Sequence, residues 1–458
     1  MSNEARIEEL KLKRELINSV SCSFCTAKWL QTTLYLQNGY NHSCHHPSPH
    51  KIPLEEIEAD PAALHNSKFK KEQRAMMLKG ERPAECDYCW KIEDLDKEYF
   101  SDRHYKTADY WAWDKFEDIA KSNPQDNVYP SYLEVSFSNA CNFACAYCSP
   151  EISSKWMEDI KQNGEYPDGA HNLDYLKQNG KFPYAHNEDN PYVTAFWKWF
   201  PNALPHLKVL RITGGEPTMS KDTWKLLDYI NENPQPQLEI AVNTNLNVPA
   251  KLIDKLIYYC NELTFNNKLK KLDIYTSAES TGDQNDYVRD GMNYKSWYAN
   301  VNRMLYETNS TVAIMTTVNM LSLPKFSNFI QEVMELRTNY NLNFEHNRIP
   351  LSINYLRWPH HLQTILLDKE QRTQYADEIE TTCKNWLKYY SKEKYARIYL
   401  EEFDQIKRLC NYLRNTEPAI EYRERFCRYI VEYDKRRGKN FKNTFPEYAT
   451  LLKDWYAG

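Results

Sequence analysis

The chain contains no run of about 18 apolar residues, the length a membrane-spanning helix needs. No such helix, and no membrane partner, is expected. It also lacks a large excess of one charge: 58 Lys and Arg stand against 63 Asp and Glu, a net of −5. That balance gives no general attraction to nucleic acid or to an anionic membrane. The first 21 residues are charged and lack the apolar core of a secretory signal. Ile7, Leu10 and Ile17 fall at helical spacing there, which predicts a helix over 1–21. A cytoplasmic location follows as the expectation. At 458 residues the chain exceeds one ordinary core, so two or three domains are expected.

Cysteine is not scarce: there are 12. In a reducing compartment, clustered cysteines are metal ligands rather than disulfides. Cys22, Cys25, Cys44, Cys86 and Cys89 lie towards the N-terminus, and Cys141, Cys145 and Cys148 follow. Cys260, Cys383, Cys410 and Cys427 are scattered and read as buried small apolar residues. The central triplet is spaced C-x3-C-x2-C, with Tyr147 just before its last member and no fourth cysteine nearby. Three close thiolates can hold three irons of a cubic [4Fe–4S] cluster, whereas the usual closed arrangement takes four. The fourth iron is then open to a small molecule, which points to chemistry rather than electron relay.

From residue 131 the pattern alternates. β-rich runs at Tyr132–Phe137, Val209–Thr213, Leu238–Val242, Leu272–Thr276, Thr311–Thr317 and Leu351–Leu356 are separated by helical stretches. The clearest of these are Lys221–Glu232, Ala250–Cys260, Tyr294–Glu307 and Lys325–Tyr340. Such alternation predicts parallel βαβ units. The expected fold is α/β, a partial six-stranded (β/α) TIM-like barrel over 130–357, with ligands at the carboxyl ends of its strands. Residues 157–195 interrupt the rhythm with a polar segment, read either as a substrate lid or as a solvated insertion. Residues 368–458 read as a helical extension. Its basic run Lys435–Lys439 reads as a solvated face.

Residues 22–105 read as a small α+β domain. Trp29–Gln37 looks strand-like, Asn38-Gly39 is a hairpin turn, and Asn66 or Ser67 caps a helix through Leu78 that stops at Gly80. Cys25, Cys44, Cys86 and Cys89 punctuate this domain.

Gly214-Gly215-Glu216-Pro217 stands directly after the second barrel strand. Two glycines let backbone approach a ligand closely, and the carbonyls and the Glu216 carboxylate can accept hydrogen bonds from an amine. With the triplet after the first strand, this turn resembles the radical S-adenosylmethionine superfamily. The resemblance implies that Cys141, Cys145 and Cys148 hold [4Fe–4S] and that its open iron chelates S-adenosylmethionine. Gly214, Gly215, Glu216 and Pro217 would contact the methionine amine, and Tyr147 is carried as a cofactor contact. By the same resemblance Asn243 and Asn245 lie near the ribose and methionine, Arg289 near the cofactor carboxylate, and Asn319 near adenine. Ser277-Ala278-Glu279 aligns with a Ser-x-Asp turn, with Glu in place of Asp. Ser277 is carried as a cofactor contact and Glu279 as the candidate catalytic acid.

The N-terminal cysteines resemble a twitch domain, the short relative of the SPASM domain, here preceding the barrel. That implies a second, auxiliary [4Fe–4S] cluster on Cys25, Cys44, Cys86 and Cys89, with Cys22 spare or a replacement ligand. Structural zinc on the pairs Cys22-x2-Cys25 and Cys86-x2-Cys89 is the competing reading.

The expected activity is reductive cleavage of S-adenosylmethionine to a 5′-deoxyadenosyl radical that abstracts hydrogen from a substrate. An external one-electron reductant of flavodoxin or ferredoxin type is the implied partner. The substrate is open, with peptides and proteins among the family's targets. A catalytically inactive binding module on the same fold is the alternative reading.

Overall fold

The computed structural model describes residues 3–96, 98–167, 172–185, 188–342, 344, 346–390 and 398–455. Parts of five sequence expectations lie outside them: residues 1–2 of the N-terminal helix, 97 of the 22–105 domain, 168–171 and 186–187 of the insertion, 343 and 345 of the 130–357 barrel, and 391–397 and 456–458 of the C-terminal extension.

The strands are β1 (Gln31–Tyr35), β2 (Tyr40–His42), β3 (His50–Lys51), β4 (Tyr132–Ser136), β5 (Val209–Thr213), β6 (Gln235–Asn243), β7 (Leu269–Ser277), β8 (Val312–Val318) and β9 (Leu351–Tyr355). They form one sheet in the order β3-β2-β1-β4-β5-β6-β7-β8-β9. From β4 to β9 every pairing is parallel, as the six-stranded partial barrel requires. Alternation along the strands sorts the faces. On β4 and β5, Leu133, Val135, Leu210 and Ile212 are fully buried, while Glu134 and Arg211 project to the opposite face. The helix Lys221–Glu232 contributes Leu226, Leu227 and Ile230 to the buried layer.

β1 pairs with β4 in parallel, from Gln31↔Tyr132 to Tyr35↔Ser136. The N-terminal hairpin therefore continues the barrel sheet. The expected strand Trp29–Gln37 begins late, because Ala27–Leu30 is a helical turn closed by the Leu30 N–H on Thr26 O at 2.9 Å. Trp29 and Leu30 are instead fully buried in a small second core with Phe24, Trp90, Trp111 and Phe116. Asn38-Gly39 turns as expected. Gly39 has φ +71, and a Cβ there would meet the Tyr192 ring at 2.0 Å. Ser67 rather than Asn66 caps the helix Lys68–Leu78.

The insertion packs rather than projects. Its backbone and side chains bind the hairpin: the Tyr184 N–H donates to Gln37 O, the Tyr40 hydroxyl to Asn179 O and the Asn190 amide to Leu36 O.

The C-terminal helices Lys369–Tyr390, Leu400–Asn415 and Arg423–Arg437 close the far side. Arg337 on the helix Phe326–Tyr340 and Glu402 form a buried ion pair joining this region to the barrel, 2.8 Å from Nη1 to Oε2. The basic run is only in part a solvated face: Lys435 is exposed, but the two arginines are folded in. Arg437 reaches Asp290 at 3.1 Å and Asp159 at 3.5 Å, and Arg436 reaches Glu432 at 2.7 Å. Both guanidinium groups lie over rings, Arg436 over Tyr166 and Arg437 over Trp156. Acids and aromatics distant in sequence supply the partners that the run itself lacks.

Candidate cluster and cofactor site

The loop Cys141–Cys148 follows β4 at the carboxyl end of the barrel. Several of its backbone groups are tied down by residues from other elements. The Ala144 and Ala146 N–H groups donate to Asp290 O and Val288 O at 2.8 and 2.7 Å. Ser153 Oγ donates to Phe143 O at 2.6 Å, and Trp156 Nε1 donates to Cys145 O at 2.8 Å. Tyr429 Oη, from the C-terminal helix, donates to Ala146 O at 2.7 Å. The Phe143 N–H points at Cys141 Sγ, 3.4 Å away. Cys145 is buried, whereas Cys141 and Cys148 keep some accessible surface.

Burial raises all three thiols, with Cys145 pushed up to about 12. At Cys141 the neighbouring Cys145 adds to this. Three crowded thiols therefore stay protonated on their own. A bound cation reverses this, since a coordinating thiol is deprotonated outright. The donor set, its partial exposure and the N–H aimed at sulfur fit a cluster with one open face.

The glycine turn approaches this loop itself. Gly214 has φ +128, and the Gly215 and Glu216 N–H groups donate to Ser138 O and Ala140 O at 3.3 and 2.7 Å. A Cβ on Gly215 would lie 2.5 Å from Ala140 O and 2.7 Å from Asn139 O. The Glu216 carboxylate is buried and takes four donors. Thr218 N and Oγ1 and Thr244 Oγ1 reach Oε1 at 3.0, 2.6 and 2.8 Å, and Asn245 N reaches Oε2 at 2.6 Å. Asn245 Nδ2 then donates to Asn142 Oδ1 at 2.8 Å, closing a ring of contacts from the cysteine loop through the glycine turn to the turn after β6.

Glu279, Arg289 and Tyr147 also come together. Arg289 donates twice to Glu279 Oε2, and the Tyr147 hydroxyl donates to Oε1 at 3.0 Å. Burial pushes the Arg289 pKa down, and the Glu279 carboxylate more than reverses this, so the guanidinium stays charged. Arg289 in turn favours the thiolates of Cys145 and Cys148.

The remaining expected residues lie apart. Asn243 ends β6 and accepts from Arg211 Nε at 3.1 Å inside the barrel. Ser277 ends β7 beside Met315. Asn319 is buried and folds over its own turn, accepting from Leu321 N and donating to Thr317 O.

No family model matches the chain. Part of the chain is similar to proteins named GTP 3′,8-cyclase. The protein from Yersinia pestis is 32% identical over 114 residues, 25% of this chain and 26% of that protein. The one from Klebsiella pneumoniae subsp. pneumoniae gives the same figures. The one from Vibrio cholerae serotype O1 is 26% identical over 204 residues, 44% of this chain and 50% of that protein. The chain thus spans between about a quarter and half of the length of these relatives. These similarities support the radical S-adenosylmethionine superfamily and enzyme status.

A second cysteine site lies in the N-terminal region. Cys25, Cys44, Cys86 and Cys89 line one cavity together with Lys28, His46 and Arg103. Cys22 is not among its walls and instead contacts Gly80 O at 3.3 Å. Burial raises Cys25 and Cys89 and pushes Cys44 up to about 11. The other three cysteines add to the rise at Cys25. Among the described residues no three His, Cys, Asp or Glu side chains converge on a point for a single metal ion. Several residues at these sites carried no sequence signal. Tyr429 lies 283 positions from its partner Ala146, and neither Arg211 nor Trp156, which donates to Cys145 O, matched a motif.

Proposed function

We propose that this chain is a radical S-adenosylmethionine enzyme with a second, auxiliary [4Fe–4S] cluster. Cys141, Cys145 and Cys148 hold the first cluster, and Cys25, Cys44, Cys86 and Cys89 hold the second. The cofactors, reduced by an external flavodoxin- or ferredoxin-type protein, supply reductive cleavage of S-adenosylmethionine to a 5′-deoxyadenosyl radical that takes a hydrogen from the substrate.

The observation that carries this reading is the Glu216 N–H on Ala140 O at 2.7 Å. It fixes the glycine turn against the cysteine loop, which supports reading the two motifs as one site. The Glu216 carboxylate, occupied by four donors, positions the Thr244–Asn245 turn rather than meeting the amine itself. Tyr147, Glu279 and Arg289 wall the sulfurs. Their ion pair holds a positive guanidinium near the thiolates without offering it to water. Glu279 therefore acts as a positioning residue.

The barrel interior below is polar, with Glu134, Arg211 and Asn243 on adjacent strands and Arg211 stacked 4.3 Å from the Tyr275 ring centroid. It suits a substrate with hydrogen-bonding groups, such as a peptide or protein segment. The protein acts in the cytoplasm, where thiols stay reduced. No helix among the described residues is long and apolar enough to cross a membrane.

Anaerobic reconstitution with iron and sulfide, then reductant and S-adenosylmethionine, tests the reading. About eight irons per chain and release of 5′-deoxyadenosine are expected, and Cys141→Ala should abolish the release. Full iron loading with no 5′-deoxyadenosine would overturn the proposal.

A further inference from the structure

Behind the N-terminal cysteines lie two buried basic side chains, Lys70 and Arg74, and burial pulls both below their ordinary pKa, Lys70 well below. The helix Lys68–Leu78 turns one face inward, carrying Lys70, Arg74 and Met77. Lys70 and Arg74 are both 0% exposed, and Met77 lines the cysteine cavity. One turn away, Arg74 Nε donates to Lys28 O at 3.0 Å and Nη1 donates to Asn66 Oδ1 at 2.9 Å. Lys28 itself lines the cavity. Lys70 Nζ donates to His65 Nδ1 at 3.0 Å and reaches Thr32 Oγ1 at 3.4 Å. His65 gives its Nε2–H to Trp29 O at 2.6 Å, which leaves Nδ1 as a lone-pair acceptor on a neutral ring.

Every bonded partner of Lys70 and Arg74 is therefore neutral. The cations nearer the sulfurs differ: Lys28 pairs with Glu85 and Arg103 with Glu93. Taking a cation out of water costs several kcal/mol unless an anion compensates, and interior charges are paired as a rule. The place for that anion is the cavity lined by Met77, one helical turn from Arg74 and two from Lys70. A cluster held by four thiolates is anionic, and it becomes more so on reduction.

On the reading that Cys25, Cys44, Cys86 and Cys89 hold such a cluster, we propose that Lys70 and Arg74 are its counter-charge and set its reduction potential. Positive charge favours the reduced, more negative state, so both residues raise the potential. The couple takes up one electron from the reductant and makes or breaks no covalent bond. Arg74 bonds the backbone of the cavity-lining Lys28, and neither Lys70 nor Arg74 lines the cavity, so they tune the centre without ligating it.

The test uses the full chain carrying Cys141→Ala, Cys145→Ala and Cys148→Ala, so that one centre remains. After anaerobic reconstitution, its midpoint potential is read by a dithionite titration followed by electron paramagnetic resonance. Lys70→Met and Arg74→Met should each lower the reduction equilibrium constant about tenfold, which is about 59 mV for a one-electron couple. Lys70→Arg should keep the parent potential. Equal potentials in the parent and both Met variants, at equal iron content, would overturn the counter-charge. A parent that takes up no iron would overturn the cluster reading beneath it, a separate failure. If Lys70→Met does not fold, Arg74→Met against Arg74→Lys gives the same comparison.

Discussion

Arg289 and Glu279 form a buried ion pair against the cysteine loop, with Nη2 2.7 Å and Nε 3.1 Å from the same carboxylate oxygen. Arg289 is 7% exposed and Glu279 is 0% exposed, so neither charge has water to fall back on. Removing one partner leaves the other uncompensated. Glu279→Ala should destabilise the iron-free chain by about 3–5 kcal/mol. Arg289→Met should cost a similar amount, and the double variant clearly less than the sum, because the two act as a unit. Guanidinium denaturation of the four proteins checks this. Additive losses would mean that the pair contributes no coupling.

Gly215 tests the seam between the two motifs. A methyl group there would sit 2.5 Å from the Ala140 carbonyl, and backbone on both sides cannot give way as a flexible side chain would. Gly215→Ala should push the glycine turn off the cysteine loop at a cost of about 1–3 kcal/mol. On the proposed two-cluster reading, iron content after reconstitution should fall towards half, because the substitution leaves the N-terminal cysteines untouched. Cluster absorbance and iron analysis read this directly.

The barrel was legible because its strands and helices obey simple periods. Val209–Thr213, Lys221–Glu232 and Tyr294–Glu307 run as their patterns predict, and the Cys141–Cys148 loop falls after β4, at a barrel strand's carboxyl end. Where the reading differed, tertiary partners decided. Trp29 and Leu30 open a strand-like run, yet burial in the second core and the bond back to Thr26 make them a helical turn. Arg436 and Arg437 look like a solvated run until Asp159, Asp290 and two aromatic rings are folded against them. The joining of β1 to β4 was hidden for a related reason: Tyr35 and Ser136 meet across a long connection that no local pattern reports.

His104 predicts a pH dependence. Burial holds its imidazole neutral, at a pKa of about 4, and Arg103 assists. In that state Nδ1 accepts the Ser101 N–H at 3.1 Å and caps the helix Asp102–Ala108. An unfolded imidazole titrates near 6.5. The unfolded chain therefore takes up the proton first, so this stabilisation is present above about pH 6.5 and is lost as pH falls through about 4. The loss amounts to roughly 3 kcal/mol at most. Denaturation at pH 7, 5.5 and 4.5 should show a steeper acid decline for the parent than for His104→Gln. Parallel declines would assign the acid sensitivity to other groups.

The C-terminal helix reaches the first cluster site through two side chains. Tyr429 Oη donates to Ala146 O at 2.7 Å, and Arg437 spans Asp159 and Asp290 while covering the Trp156 ring. Trp156 in turn donates to Cys145 O, and the Asp290 carbonyl accepts from Ala144 N. The helix thus clamps both edges of the loop that carries the thiols. Tyr429→Phe removes one buried hydroxyl and leaves a carbonyl unpaired, so it should cost about 1–3 kcal/mol. Arg437→Met strips the charge from two acids and should cost more. On the proposed two-cluster reading, both variants should lose iron from Cys141–Cys148 to a chelator faster than the parent, with iron at the N-terminal cysteines released at the parent rate. The two rates separate when each variant is made with either Cys141→Ala or Cys86→Ala. Unchanged chelation at the first centre in Arg437→Met would show that the loop holds its shape without the helix.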